Sequence, residues 1–185
     1  NITEYSEVLV RQSEKLKRLI EDLVEASKAS TGNLEVSVTP CDASVFIFQV
    51  SGEFDEKIKN AGLSLITSLP EQELHIMADS RRMWRIFDNL MNNICKYSQA
   101  GTRVYLSLEK IGGQAVITFK NTSRDPLNIS ADELLERFVR GDSSRNTDGN
   151  GLGLSIARSL TELQGGTLNL EIDGDLFKVI PVSYT

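Results

Sequence analysis

Histidine is almost missing from this chain, with His75 the only one in 185 residues. Cysteine is nearly as scarce. Cys41 and Cys95 are too few for a disulfide framework and stand at no metal-ligand spacing from His75, so a reducing, cytoplasmic setting is expected. Basic residues are in deficit, 20 Lys and Arg against 26 Asp and Glu. The resulting net charge of −6 argues against nucleic acid or an anionic membrane as the main partner. No apolar run approaches the roughly 18 residues of a membrane span, and no signal peptide opens the chain. Internal repeats and low-complexity tracts are also absent. What is present is a 40% hydrophobic composition, enough for one main domain with a short appendage. Because the first residues already follow a helical pattern, a piece of a longer protein is expected.

In that opening pattern Tyr5, Leu9, Leu16, Leu19, Leu23 and Ala26 recur at spacings of four and three, with Gln12 interrupting. This is a heptad seam. The helix closes at Ser27 to Gly32, and its stripe needs either a partner helix or the helix's own domain to cover it. Leu34 to Thr39 alternates like a strand, and Pro40 with Asp42 opens a helix over 43–61, closed by Gly62. Leu63 to Leu69 and Glu73 to Met77 read as short strands around the turn Pro70-Glu71-Gln72. Thr102 to Lys110 and Ala115 to Phe119 read as a hairpin across Gly112-Gly113. From Asn121 to Asn150 the chain turns polar. One island of order, Ser130 to Glu133, has capping-box spacing and leads into Leu134, Leu135 and Phe138. Arg140 to Gly151 reads as a mobile charged loop. Leu152 to Gln164 is an amphipathic helix, stopped by Gly165-Gly166, and Thr167 to Ile172 with Leu176 to Pro181 make a closing hairpin.

The stretch Asp79 to Ser98 is the most informative. Asp79 is an N-cap, and at about 100° per residue Met83, Ile86, Phe87, Leu90, Ile94 and Tyr97 share one face. Asn89, Asn93 and Lys96 border that face. Asparagine weakens a helix interior because its amide competes for backbone groups, so Asn89, Asn92 and Asn93 call for a compensating role.

Two features suggest what that role is. Gly149, Gly151 and Gly153 alternate directly before a helix, where bare N–H groups and the positive dipole end attract anions. Glycines alone fit a flexible turn equally well. The spacing lacks the Lys-Ser/Thr ending of a P-loop and does not follow a strand as a dinucleotide fingerprint would. The amide stripe adds a second signal, since a neutral amide oxygen such as that of Asn93 can hold Mg2+ against a triphosphate without adding charge. Lys96, one turn along, can meet a phosphate oxygen.

Three motifs together carry a family resemblance. NLMNNICKYS at 89–98 resembles the N box of sensor histidine kinases, LLERFVRGDSSR at 134–145 their F box, and GNGLGLSIA at 149–157 their second glycine box. Their order and spacing match, and the resemblance runs from Leu34 onward. It implies an α+β fold of the GHKL superfamily, the Bergerat-type ATP-binding sandwich, with a mixed β-sheet covered on one face by helices and preceded by an N-terminal helix. Residues 1–31, with DLVEASKA at 22–29, resemble the second helix of a dimerisation and phosphoacceptor hairpin, and 32–185 the ATP-binding catalytic domain. On this resemblance Asn93 is the magnesium ligand, Asn89 its companion, Lys96 a phosphate contact and Tyr97 a nucleotide contact. Phe138 and Arg140 belong to a lid, and Gly149, Gly151, Leu152, Gly153 and Leu154 to the loop around the phosphates. The implied cofactors are ATP and Mg2+. The implied partners are a phosphoacceptor histidine helix, a response-regulator receiver domain and a second copy in the full-length protein, and the implied location is the cytoplasmic portion of a membrane-anchored sensor.

The sequence departs from the family pattern twice. Where an Asp-x-Gly-x-Gly box is usual, this chain has Asn121-Thr122-Ser123-Arg124-Asp125. Asn121 falls where the family's aspartate accepts a hydrogen bond from the adenine amino group, and Ser123 and Asp125 replace both glycines, which implies a different path for the turn. The family's phosphorylated histidine lies on a helix that this chain does not contain. His75 reads as structural and Trp84 as a packing residue. The alternative to a kinase domain is a degenerate nucleotide fold kept as a dimerising regulatory module. Chaperones, topoisomerases and serine kinases acting on anti-sigma partners share the fold, but none explains the helical segment ending at Ala29.

Overall fold

The structure, a computed structural model, describes residues 1–128, 130–140 and 152–184, excepting the side chains of 136–140 and 179–184. In chain order the elements are α1 (Ile2–Ser30), β1 (Thr39–Asp42), α2 (Ala43–Asn60), β2 (Ser64–Ser68), β3 (His75–Ala78), α3 (Ser80–Tyr97), β4 (Arg103–Ile111), β5 (Gln114–Thr122), α4 (Ala131–Arg140), α5 (Gly153–Leu163), β6 (Thr167–Asp173) and β7 (Leu176–Tyr184).

The β4–β5 hairpin sets the frame. Gly112 and Gly113 both adopt positive φ, 57° and 81°, which a two-residue turn needs if its twist is to match the strands. Five strands follow the order β2-β4-β5-β7-β6, with β2 parallel to β4 and every other pair antiparallel, so the sheet is mixed as expected. Period-two alternation sends Val104, Leu106, Leu108, Ala115, Ile117 and Phe119 to the buried face. Helices α2, α3 and α5 cover that face, and Phe87 of α3 meets Phe46 of α2 and Phe119 of β5 edge-on, at 6.0 and 5.3 Å between centroids. Tyr105 and Glu109 emerge on the opposite, open face.

One strand expectation changes. Leu34 to Val38 does not form a strand, and β1 begins only at Thr39, pairing with β3. The reason lies in side chains that claim the backbone. Asp79 Oδ2 accepts from Ser37 N at 2.9 Å, and Arg82 Nη2 donates to Glu35 O at 3.2 Å, so two of that segment's backbone groups are bonded to side chains instead of to a neighbouring strand. The strands on either side of Pro70 both form but join different sheets, β2 beside β4 and β3 beside β1. The glycine stops hold. Gly62 adopts φ of 70° while Leu63 N donates to Ile58 O and Gly62 N to Lys59 O, the Schellman arrangement. In α4 the Ser130 side chain accepts from Glu133 N at 3.1 Å, as the capping-box spacing required. The heptad seam of α1 stays open over most of its length, with Tyr5, Leu9, Leu16 and Leu23 exposed and only Ala29 buried. Among the described residues no helix is long and apolar enough to cross a membrane.

Candidate functional site

Helix α3 is fixed at its start by Asp79, whose carboxylate accepts three backbone N–H groups. Asp79 Oδ1 accepts from Arg81 N and Arg82 N at 3.0 and 3.2 Å, Oδ2 accepts from Ser37 N, and its own N–H donates to Gln164 Oε1 at 2.7 Å. Burial raises the Asp79 pKa, but the three backbone N–H groups and the Arg82 charge outweigh it and hold the carboxyl below its ordinary value. From that anchor the buried face of α3 runs through Met83, Ile86, Phe87, Leu90, Met91 and Ile94, so the polar border is set at a fixed angle to the core.

That border faces an open cleft of about 1150 Å3. Asn89, Asn93, Lys96 and Tyr97 line it from α3, and Gly153 lines it from the start of α5. A Cβ on Gly153 would stand 3.7 Å from Asn89 Oδ1, so the glycine loop's last member and the amide stripe meet directly. Asn89 is 8% exposed, and its Nδ2 has no hydrogen-bond partner among the described residues. Lys96 Nζ, also buried without a partner, lies 5.1 Å from the centroid of the Tyr97 ring. Asn93 lines both the cleft and a small cavity of about 10 Å3 behind it, shared with Leu90, Ile94, Phe119, Asn121 and Phe177.

Asn121, the last residue but one of β5, stands beside the end of α3. It is 4% exposed, its Nδ2 donates to Ser98 Oγ at 2.8 Å, and its Oδ1 is buried without a partner. The strand end is stitched to the helix end by Gln99 N to Thr122 O, Arg124 N to Tyr97 O and an isolated bridge between Ser98 and Ser123. Ser123 and Asp125 reach this path without any positive φ among the described residues, so the turn does not need glycine. Ser123 Oγ donates to Asp125 O at 2.8 Å instead.

Among the described residues, three buried side-chain polar atoms lack a partner: Asn89 Nδ2, Lys96 Nζ and Asn121 Oδ1. All three belong to residues singled out by the sequence motifs. Leu152 and Leu154 cap and enter α5, Leu154 buried in the core and Leu152 partly so. Gly149, Gly151 and the charged loop lie outside the described residues, as do the side chains of Phe138 and Arg140, whose backbone belongs to α4.

Three features of the site escaped the motif reading. Asn92, given no role by the sequence, ties two helices: its Nδ2 donates to Asp88 O at 2.8 Å and its Oδ1 accepts from Lys57 Nζ of α2. Arg85 grips α1, with Nε donating to Glu25 Oε2 at 2.8 Å and Nη2 to Asp22 Oδ1, so that Glu21, Asp22 and Glu25 form a wall of the cleft. Burial lowers the Arg85 pKa, and Glu25 and Asp22 more than reverse this. Ser98 supplies the partner for Asn121, a contact between residues 23 apart that no local spacing signals.

Comparison with known proteins agrees with this geometry. The chain is 31% identical over 186 residues to the probable sensor protein PcoS of Escherichia coli, a match covering 97% of this chain and 39% of that protein. Its fold superposes on the Acinetobacter baumannii histidine kinase AdeS with a TM-score of 0.77 at 21% identity, over 96% of this chain and 82% of that one. Full-length ShkA, solved in complex with AMPPNP, gives 0.77 at 24% identity over 95% of this chain and 37% of that one. The chain thus spans well under half the length of the sensor protein it matches. Residues 78–180, from the end of β3 into β7, match the profile of one family, and the chain belongs to it: the histidine kinase-, DNA gyrase B- and HSP90-like ATPases.

Proposed function

We propose that this chain is the ATP-binding catalytic domain of a sensor histidine kinase, transferring the γ-phosphoryl of Mg-ATP to a histidine on a helix outside this chain, for relay to a response-regulator receiver domain. One observation carries the reading. Buried polar atoms without partners are rare in folded proteins, and a ligand is the simplest reason for the grouping here: among the described residues Asn89 Nδ2 and Lys96 Nζ belong to the cleft lining and Asn121 Oδ1 to the small cavity that Asn93 shares with it. Their chemistry suits a nucleotide. Lys96 offers a cation to phosphate, Asn89 an amide N–H beside the α5 start, and Asn121 an acceptor for the adenine amino group.

Tyr97 supplies a ring wall for the nucleotide. Gly149, Gly151 and Gly153 are the proposed phosphate loop, flanked by Leu152 and Leu154, with Phe138 and Arg140 in the lid. Among the described residues no group of three His, Cys, Asp or Glu could cage a metal. Asn93, which lines the cleft, offers an amide oxygen that fits Mg2+ held jointly with phosphates and water. When bound, the ion neutralises charge on the phosphates. The chain's own task is positioning: Asn93, Lys96 and the α5 start hold the phosphates while the acceptor nitrogen forms a bond to phosphorus and ADP leaves.

His75 is exposed on β3, on the strand that precedes α3, and is not the acceptor in this reading. Residues 1–31 act as the second helix of a dimerisation hairpin, supported by the open seam of Leu9, Leu16 and Leu23, and 32–185 as the catalytic domain. The intact protein is then a homodimer whose cytoplasmic portion includes this chain. The degenerate alternative drew on the altered 121–125 turn, and the partnerless Asn121 oxygen there gives it no support.

Calorimetry with Mg2+ and a nonhydrolysable ATP analogue tests the reading. Binding in the micromolar to low-millimolar range is expected, together with its loss or at least a tenfold weakening in Asn93→Ala. No binding at millimolar nucleotide would overturn it.

A further inference from the structure

We infer that the Asn121–Ser98 pair relaxes the choice of nucleobase, admitting 6-oxopurine as well as 6-aminopurine triphosphates. The inference rests on the nucleotide-binding reading and extends it to the substrate class. A carboxylate at this place only accepts hydrogen bonds, so it favours an amino group and repels a carbonyl oxygen. An amide carries both an acceptor and a donor of nearly the same shape, and a half-turn about its last bond exchanges them.

What decides whether that exchange is open is the partner behind the amide. A buried amide facing a carbonyl or a backbone N–H would be fixed in one orientation, because the reversed one would leave like groups facing each other. Here the partner is a hydroxyl. Asn121 Nδ2 donates to Ser98 Oγ at 2.8 Å, with Asn121 and Ser98 4% and 7% exposed, and Oδ1 stands free beside the small cavity that Asn93 shares with the cleft. Turned over, Asn121 Oδ1 accepts the Ser98 hydroxyl proton, and Nδ2 faces the base as a donor. Both states keep the contact with Ser98. In the first the free oxygen accepts from the amino group of adenine, and in the second the free N–H donates to the 6-oxygen of hypoxanthine or guanine. The hydroxyl of Ser98 is thus a positioning group that serves either base.

The test is competition of ATP and inosine triphosphate, which differ at the 6-position, against a fluorescent ATP analogue on the 185-residue chain with Mg2+. The wild type is expected to bind the two within about fivefold, whereas Asn121→Asp should keep ATP and weaken inosine triphosphate by about tenfold or more. Ser98→Ala, with thermal melting as a folding control, should weaken both triphosphates by severalfold and leave their ratio near its wild-type value. Rejection of inosine triphosphate by the wild type as strong as by Asn121→Asp overturns the inference, since the amide is then held one way. An unchanged ratio in Asn121→Asp overturns it too, because Asn121 then does not face the base. Unaltered affinities in Ser98→Ala remove the hydroxyl from the account. Binding of neither triphosphate by the wild type brings down the nucleotide reading itself, a result distinct from the other three.

Discussion

Replacing Asp79 by Asn separates the charge of the α3 cap from its shape. The wild-type carboxylate uses both oxygens, Oδ1 for Arg81 N and Arg82 N and Oδ2 for Ser37 N, while its side chain and backbone sit at 9% exposure. An amide keeps one oxygen, so either the helix cap or the Ser37 contact must face an N–H donor. Loss of an N-cap costs about 0.5–2 kcal/mol, and a hydrogen bond to a charged group contributes about 1.5–3 kcal/mol. Asp79→Asn should therefore lower stability at pH 7 by about 2–3 kcal/mol, read from urea denaturation monitored by circular dichroism. The pH dependence carries the sharper test. Because the folded carboxyl titrates below the ordinary 3.8, its contribution is fully present above that value and is lost as pH falls through the lower folded pKa. The gap between wild type and Asp79→Asn should be flat from pH 7 to about 5 and narrow as pH falls below the ordinary 3.8. Parallel stability curves across that acid range would refute the charge-based account of the cap, whatever the size of the gap at pH 7.

Four further outcomes follow from the same contacts. Arg85→Ala should free the end of α1: a double-mutant cycle with Glu25→Ala is expected to give a coupling of about 1–2 kcal/mol, since the two side chains are only 29% and 16% exposed, and a coupling under about 0.3 kcal/mol would contradict the clamp. Hydrogen exchange of residues 22–30 in that variant should quicken ahead of the sheet. Phe87→Ala removes a fully buried ring packed against Phe46 and Phe119, and should cost about 3–5 kcal/mol, seen as a melting temperature lower by on the order of 10 °C. Burial pushes the Cys95 thiol pKa up while Lys57 opposes it, so alkylation of Cys95 by iodoacetamide at pH 7.5 should run slower than that of a free cysteine.

Much of this molecule is legible in local pattern. The 3.6 period of 79–98 marked the buried face of α3, the residue before it marked the cap, and paired glycines marked the β4–β5 turn, because each depends on neighbours within a few positions. The sequence motifs also single out the amide stripe and Gly153, which the structure brings together at one cleft. Where sequence reading erred, a distant side chain had intervened. Leu34 to Val38 has strand-like alternation, but Asp79 and Arg82, more than 40 residues away, occupy its backbone groups.

The roles of Asn92, Arg85 and Ser98 were illegible for the same reason. Each is defined by a partner on another element: Lys57 of α2 for Asn92, Asp22 and Glu25 of α1 for Arg85, and Asn121 at the end of β5 for Ser98. By itself the sequence determined which segments become helix and strand, which faces they bury, and which residue types the cleft presents, since propensity, capping and periodicity act over single turns. Only the tertiary structure decided which of those polar groups are satisfied and which, among the described residues, are buried without a partner. Satisfaction depends on what stands within about 3 Å of an atom, and here that is set by the packing of α3 against α2 and α5 and by its tie to the end of β5 through Ser98 and Asn121.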